Sequence, residues 1–263
     1  MNALTELGGR AVIAHRGNAA HAPENTLESF AQAIALGVDA LEFDVRLTRD
    51  GVPVVLHDPT LSRSTNRVDA IADTSLAELR AVDAGAWFTP DAGATFPYRG
   101  RGLTIPTLAE VLRTFPRIPV LIEVKVAGTA DAIFDVLAKA GALERTLAAS
   151  MEGQAIASLR THNVAIGGGA GDVLRLLPRA LVGRRMSVLP YDALCVPLWY
   201  AGLPIPVVSL ARAARAAGVV THVWTIDAPH TARRLWSAGV QGIITNDPGA
   251  MIRLRSEMAR SAG

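Results

Sequence analysis

The strongest constraint on this chain is a rhythm. Short runs of Val, Ile, Leu and Ala without polar alternation recur along it, most of them followed by an amphipathic stretch of about ten residues. AVIAH (11–15), ALEFDV (40–45), VPVVLH (52–57), PVLIEVKV (119–126), RTLAAS (145–150), NVAIGG (163–168), ALCVPL (193–198), THVWTI (221–226) and GIITN (242–246) read as strands. NTLESFAQAIALG, TLAEVLRTF, TADAIFDVLAKAG, SLARAARAAG and HTARRLWSAG read as helices between them. A strand apolar on both faces needs cover on both, which a parallel sheet wrapped in helices supplies. About eight such units in 263 residues favour an α/β fold of the (β/α)8 TIM-barrel type, one domain over 1–263, rather than an open doubly wound sheet. No GxGxxG follows the first strand, which also argues against a dinucleotide fold.

One region breaks the rhythm. Residues 58–104 are rich in turn formers and hold one short predicted helix around Ser75–Val82, so they read as an insertion after the second strand and its hairpin. Barrel active sites sit at the C-terminal ends of strands, where such an insertion can wall a pocket.

Composition excludes several classes. Half the residues are hydrophobic and 19% are charged, ample for a large core. No run approaches the roughly 20 apolar residues of a membrane helix, and MNALTELGGR lacks a basic head and an apolar segment, so a cytoplasmic protein is expected. Net charge is +2 with no Lys/Arg run, which gives nucleic-acid binding no support. The single cysteine, Cys195 in LCVPLW, reads as a small buried apolar residue rather than a nucleophile. Of 26 basic residues only Lys125 and Lys139 are lysine, which singles out Lys125 inside an apolar strand.

Chemistry collects at the strand ends. In LEFDV, Glu42 and Asp44 lie two apart and face the same way; in VLIEVKV, Glu123 and Lys125 do the same. If Arg49-Asp50 forms a two-residue hairpin loop, counting outward sets Glu42 opposite His57 and Asp44 opposite Val55. Each residue has a plain alternative, a strand-end carboxylate as an ion-pair partner and a solitary His as a satisfied core group. Convergence of polar residues at the ends of three apolar strands favours a site. Three carboxylates without Cys or a tight His cluster form an oxygen-rich set suited to Mg²⁺ or Ca²⁺ rather than structural zinc. His15 and His57 add two groups that titrate near neutrality, and Arg16 and Lys125 two cations. That combination suits phosphodiester cleavage, in which one imidazole takes a proton, the other gives one, and the cations meet the phosphate charge.

These residues resemble the glycerophosphodiester phosphodiesterase family of phospholipase-C-like barrels. The matching pieces are H-R-G with P-E-N-T (His15–Gly17, Pro23–Thr26), A-L-E-F-D-V, T-R-D-G, V-V-L-H-D, L-S-R-S-T-N, I-E-V-K, V-W-T-I and G-I-I-T-N-D-P, in order over nearly the whole chain. The resemblance implies hydrolysis of glycerophosphodiesters to sn-glycerol 3-phosphate and an alcohol with one divalent cation. It implies His15 and His57 as the acid/base pair, Glu42, Asp44 and Glu123 as metal ligands, and Arg16 and Lys125 as phosphate contacts. It also implies a route in which a glycerol hydroxyl attacks first to give a cyclic phosphate that water opens. Trp224 either packs beside glycerol or fills the barrel interior.

Some positions depart from the family pattern or add to it. Ser150-Met151-Glu152 stands where S-F is usual, and Gln241 and Asn246 stand where acids are common. Asn25 and Thr26 are expected to cap the next helix and fix the loop; His21, His162, His222 and His230 are expected at loops, helices or strand edges. The apolar, Pro-rich stretch 189–210 has two readings: a rigid loop over the core, or a rim that admits a lysophospholipid acyl chain or touches a membrane surface transiently. Rival functions are a lysophospholipase-D-like or sphingomyelinase-D-like enzyme on the same barrel, an inactive binding module, and a sugar-phosphate isomerase. The filled catalytic set opposes the binding module, and the paired imidazoles oppose the isomerase.

Overall fold

A computed structural model describes residues 2–182 and 188–261. Its strands are β1 (Ala11–His15), β2 (Ala40–Leu47), β3 (Pro53–Val55), β4 (Val120–Val124), β5 (Thr146–Ala149), β6 (Ala165–Gly168), β7 (Ala193–Pro197), β8 (Trp199–Tyr200), β9 (Leu203–Pro204), β10 (Val220–Trp224) and β11 (Gly242–Thr245). Its helices are α1 (Leu27–Ala35), α2 (Leu76–Leu79), α3 (Leu108–Thr114), α4 (Ala130–Lys139), α5 (Ala157–Thr161), α6 (Ala170–Leu181), α7 (Val207–Ala216), α8 (Pro229–Ser237) and α9 (Pro248–Arg260). Eight strands pair in parallel in the order β1-β11-β10-β7-β6-β5-β4-β2, and β2 pairs back onto β1. The sheet is therefore closed, and the fold is the expected (β/α)8 barrel.

Alternation along the strands sorts the side chains. Val12, Ala14, Leu41, Phe43, Val45, Val120, Ile122 and Val124 point outward into the large core beneath the helices. Ile13, Ala40, Leu121, Leu147, Ala165, Ala193 and Ile244 fill the barrel interior, closed at the N-terminal end by Leu4. Further along the same inward rows stand His15, Glu42, Asp44 and Glu123, so each strand changes from apolar filling to chemistry at its C-terminal end. The segment 58–104 has its own small core, in which Leu61, Ile71, Leu79 and Val82 pack on Val54 and Leu56. Its helix α2 is shorter than expected, yet it is closed by the capping box Ser75–Glu78.

Two expectations need correction. The hairpin after β2 is one residue longer than the two-residue loop predicts. Val45 pairs with Val55 and Leu47 with Pro53, and Gly51 supplies a left-handed backbone at φ +74°. On that register Glu42 does not face His57 across a ladder; His57 reaches the cavity because β3 ends at Val55 and the chain turns inward. The second concerns His222, which is no edge residue. It is buried in the interior row of β10 beside Cys195 of β7, against Gly242, where a Cβ has no room.

Burial holds the His222 pKa down to about 4, against an ordinary value of 6.5. Above pH 6.5 the ring is neutral in both folded and unfolded chains. Between 6.5 and about 4 the unfolded chain takes up a proton that the fold resists, so stability falls as pH drops through that window, by about 3 kcal/mol from this group. Urea titrations between pH 7 and 4 should show this loss, and His222→Leu should flatten it; an unchanged acid limb would contradict the assignment.

Candidate active site

The site begins at the end of β1. Gly17 has φ +88°, and a Cβ there would stand 2.7 Å from the Ser29 carbonyl carbon, so only glycine lets the chain turn this closely over α1. The turn holds His15 and Arg16 over the barrel mouth. Thr26 caps α1 by accepting from the Ser29 amide at 3.2 Å. Asn25 acts differently from the expected cap: at φ +59° it turns inward, and its Nδ2 donates to Asp44 Oδ2 at 3.0 Å.

Ladder register brings the carboxylates together. Glu42 pairs with His15 between β2 and β1, and Asp44 pairs with Glu123 between β2 and β4. Carboxylate oxygens of Glu42, Asp44 and Glu123 all lie within 4.8 Å of one another. Arg16 Nε stands 3.1 Å from Asp44, and Lys125 Nζ bridges Asp44 Oδ1 at 3.0 Å and Glu123 Oε2 at 2.9 Å. Among the described residues no Lys or Arg pairs with Glu42; the Arg16 backbone N–H donates to it at 3.3 Å and His15 Nε2 lies 3.9 Å away.

Titration follows this division. Burial, reinforced by Asp44 and Glu123, pushes the Glu42 carboxyl well above the usual carboxylate range. Burial also works against ionisation of Asp44, but Arg16 and Lys125 outweigh it and hold that carboxyl low. Three carboxylates against two cations leave one negative charge in excess. A small divalent cation beside Glu42 would relieve it, and three oxygen donors in a buried cluster fit Mg²⁺ or Ca²⁺.

Each imidazole has its Nδ1 engaged. His15 Nδ1 lies 2.7 Å from Asn246 Oδ1, and Asn246 Nδ2 donates to Asp227 Oδ2 at 2.8 Å, which orients the amide with its oxygen toward His15. The His15 Nδ1 therefore carries the proton. Burial first, and Arg16 second, lower its pKa. His57 Nδ1 lies 2.5 Å from Asp58 Oδ1, and Arg63 Nε donates to Asp58 Oδ2 at 2.5 Å. Burial opposes ionisation of Asp58, yet hydrogen bonds from Arg63 and His57 hold it at about 2. Arg63 and Arg16 both donate to Glu24 of the P-E-N-T loop, which ties the insertion to the end of β1.

His15, Arg16, Glu42, His57, Glu123, Lys125 and Trp224 all line one cavity of about 330 Å³, with Asp44 directly beneath it. Residues 15–250 match the Glycerophosphoryl diester phosphodiesterase family. A glycerophosphodiester phosphodiesterase of Caldanaerobacter subterraneus is 32% identical over 92% of this chain and 96% of its own. The chain belongs to the glycerophosphoryl diester phosphodiesterase family. Among solved structures, a glycerophosphodiester phosphodiesterase from Agrobacterium tumefaciens has a TM-score of 0.74 at 26% identity, covering 94% of this chain and 99% of the other. An Oleispira antarctica phosphodiesterase in complex with the product sn-glycerol-3-phosphate also has a TM-score of 0.74 at 26% identity, over 98% and 100%.

All eight residues singled out in the sequence thus meet at one barrel end. Sequence reasoning missed Glu24, Asp58, Arg63, Asp227 and the role of Asn246, the groups that orient the imidazoles and Arg16. Asp58 was the most legible of these, since it follows His57 directly. Cys195 lies at the cavity floor, where burial and then Glu42 and Glu123 push its thiol pKa up, in keeping with an inert residue. Ser150 donates to the Val124 carbonyl at 2.8 Å, and Met151 lines the cavity in place of the usual aromatic. His21 stands 3.6 Å from Asp247, His162 stacks on Phe134, and His230 is exposed on α8.

Because Glu42 is held above its ordinary range, the metal-free fold loses stability as pH rises from about the usual carboxylate pKa through that of Glu42. Glu42→Gln should raise the melting temperature in EDTA at pH 7 and abolish the upward shift expected of the parent protein with Mg²⁺ or Ca²⁺. A variant that melts lower in EDTA, or that still gains from the cations, would contradict this electrostatic account.

Proposed function

We infer that this protein hydrolyses glycerophosphodiesters to sn-glycerol 3-phosphate and an alcohol, with one divalent cation, Mg²⁺ or Ca²⁺, on Glu42, Asp44 and Glu123. The observation that carries the reading is the pair of imidazoles. Each has Nδ1 engaged by an orienting partner and Nε2 without a hydrogen bond among the described residues, and both line a cavity that also holds Glu42, Glu123 and two cations. The relative from Oleispira antarctica, solved with sn-glycerol-3-phosphate, supports the same product here.

Arg16 and Lys125 meet the phosphate oxygens, and the cation, when bound, adds positive charge as negative charge develops there. The glycerol 2-hydroxyl oxygen attacks phosphorus, its proton passing to one Nε2. The bond from phosphorus to the leaving alcohol breaks, and that oxygen takes its proton from the other Nε2. Water then adds to the cyclic phosphate with the roles reversed, the ring P–O bond breaks, and glycerol 3-phosphate is left. His57, whose Nδ1 meets the Asp58 carboxylate, is assigned the acid of the first step, because that charge complements an imidazolium. His15, backed by a neutral amide beside Arg16, is the base of the first step.

Release of glycerol 3-phosphate from a panel of glycerophosphodiesters, suppressed by EDTA and restored by Mg²⁺ or Ca²⁺, tests the activity. His15→Ala and His57→Ala should each lose about 10²–10⁴-fold while remaining folded. On a glycerol 3-phosphate p-nitrophenyl diester, whose leaving group needs no proton, His57→Ala should recover much of its loss and His15→Ala should not. Near wild-type turnover by either variant on an alkyl diester would sink the acid/base pair, and recovery by His15→Ala alone would reverse the roles.

A further inference from the structure

Across the cavity from the phosphate-binding groups the lining changes character. The polar groups crowd on the side of β1, β2 and β4, whereas the opposite wall, from α6, the end of β7 and the chain after it, presents Val173, Leu174, Leu177, Pro197 and Ile205. Among the described residues no charged side chain lines that half. The Ser150 hydroxyl beside it is already committed to the Val124 carbonyl. A charged group placed there would lose its water and meet no opposite charge among the described residues, whereas an alkyl chain would lose nothing.

The apolar wall continues out of the mouth. Leu174, Tyr200 and Met151 both line the cavity and stand exposed, Leu174 at 66%. Next to them β8 and β9 form a two-residue hairpin, with Ala201 at φ +49° and Gly202 at φ +78° in the turn. It presents Trp199 and Leu203, 63% and 69% exposed, to the outside. Of twelve exposed large hydrophobic residues among the described ones, Met151, Leu174 and Tyr200 line this cavity, and Trp199 and Leu203 belong to the hairpin that carries Tyr200. Scattered single residues are ordinary, but a concentration around one cavity marks a surface that meets something apolar.

We propose that this wall and rim bind one aliphatic chain, and that the preferred substrate is a phosphodiester of a single-chain glycerolipid drawn from a lipid surface. The proposal rests on the phosphodiesterase function inferred above and adds what lies beyond the glycerol. Chain number follows from the chemistry: the attacking 2-hydroxyl must be free, so only the remaining glycerol carbon can carry an acyl group. Chain seating follows from size. A cavity of about 330 Å³ lies at the small end of ligand sites, so the part of a long chain nearest the glycerol runs along α6 and the rest stays in the lipid beside Trp199 and Leu203.

Choline release reads both arms of the test equally. Lysophosphatidylcholine should show a kcat/KM at least about tenfold above glycerophosphocholine, equivalent to one well-buried apolar side chain. The double variant Trp199→Ser/Leu203→Ser changes two residues outside the cavity. It should lower lysophosphatidylcholine turnover, and cosedimentation with phosphatidylcholine vesicles, by about tenfold or more, while glycerophosphocholine hydrolysis is unchanged. Glycerophosphocholine cleaved with lysophosphatidylcholine untouched would overturn the chain-binding site and leave the phosphodiesterase function standing. Parent-like lipid turnover and vesicle binding by the double variant would overturn the rim. Failure to cleave any diester of the panel would overturn the phosphodiesterase reading itself.

Discussion

Three carboxylates at one end of a buried sheet are tolerable only if positive charge enters the same volume. With carboxylate oxygens within 4.8 Å of one another, each like-charge pair costs about 3 kcal/mol or more at an effective dielectric of ~20. Arg16 and Lys125 offset part of that, and their positions in turn depend on the carboxylates. The left-handed turn at Gly17, the inward Asn25 and the Glu24 tether all serve to hold the Arg16 guanidinium against Asp44. Glu42, left without such a cation among the described residues, is instead held toward its neutral form by burial and by its two carboxylate neighbours.

The same charge problem separates the two imidazoles. His15 shares its volume with Arg16 and leans on a neutral amide, whereas His57 stands at the insertion, against a carboxylate that Arg63 keeps ionised. Two chemically identical side chains thereby face different surroundings, a neutral amide beside a guanidinium for His15 and a carboxylate for His57. The insertion is part of this arrangement, since Asp58 and Arg63 both belong to it and Arg63 returns to Glu24 beside the first strand. The opposite wall carries Val173, Leu174, Leu177, Pro197 and Ile205 instead, and Leu174 reaches the surface.

Much of this was legible in the chain. The two-apart spacing of Glu42 and Asp44, and of Glu123 and Lys125, forces each pair onto one face of a strand, and apolar runs without alternation force a covered parallel sheet. The hairpin register was not legible, because a single extra turn residue at Gly51 shifts every pairing by one and nothing local distinguishes the two loops. His222 was misplaced for a related reason: a histidine in THVWTI reads the same whether its strand meets an edge or closes a barrel. Asn246 was noticed as a departure, but a role that runs through 231 residues of separation from His15 has no local signal.

The sequence by itself determined the strand and helix rhythm, the closed barrel it implies and the set of groups able to do chemistry, because side-chain periodicity and residue type act locally. Only the tertiary structure decided which partner each group has: Asn246 and Asp227 for His15, Asp58 and Arg63 for His57, Lys125 between two carboxylates, and none of these cations for Glu42. It also decided that Met151, Leu174 and Tyr200, exposed residues well apart in the chain, line a single mouth. Those outcomes depend on the order in which strands close the sheet. Closure sets β1 beside both β2 and β11, elements far apart in the chain, and proton affinity and substrate fit are properties of such neighbours rather than of the residues themselves.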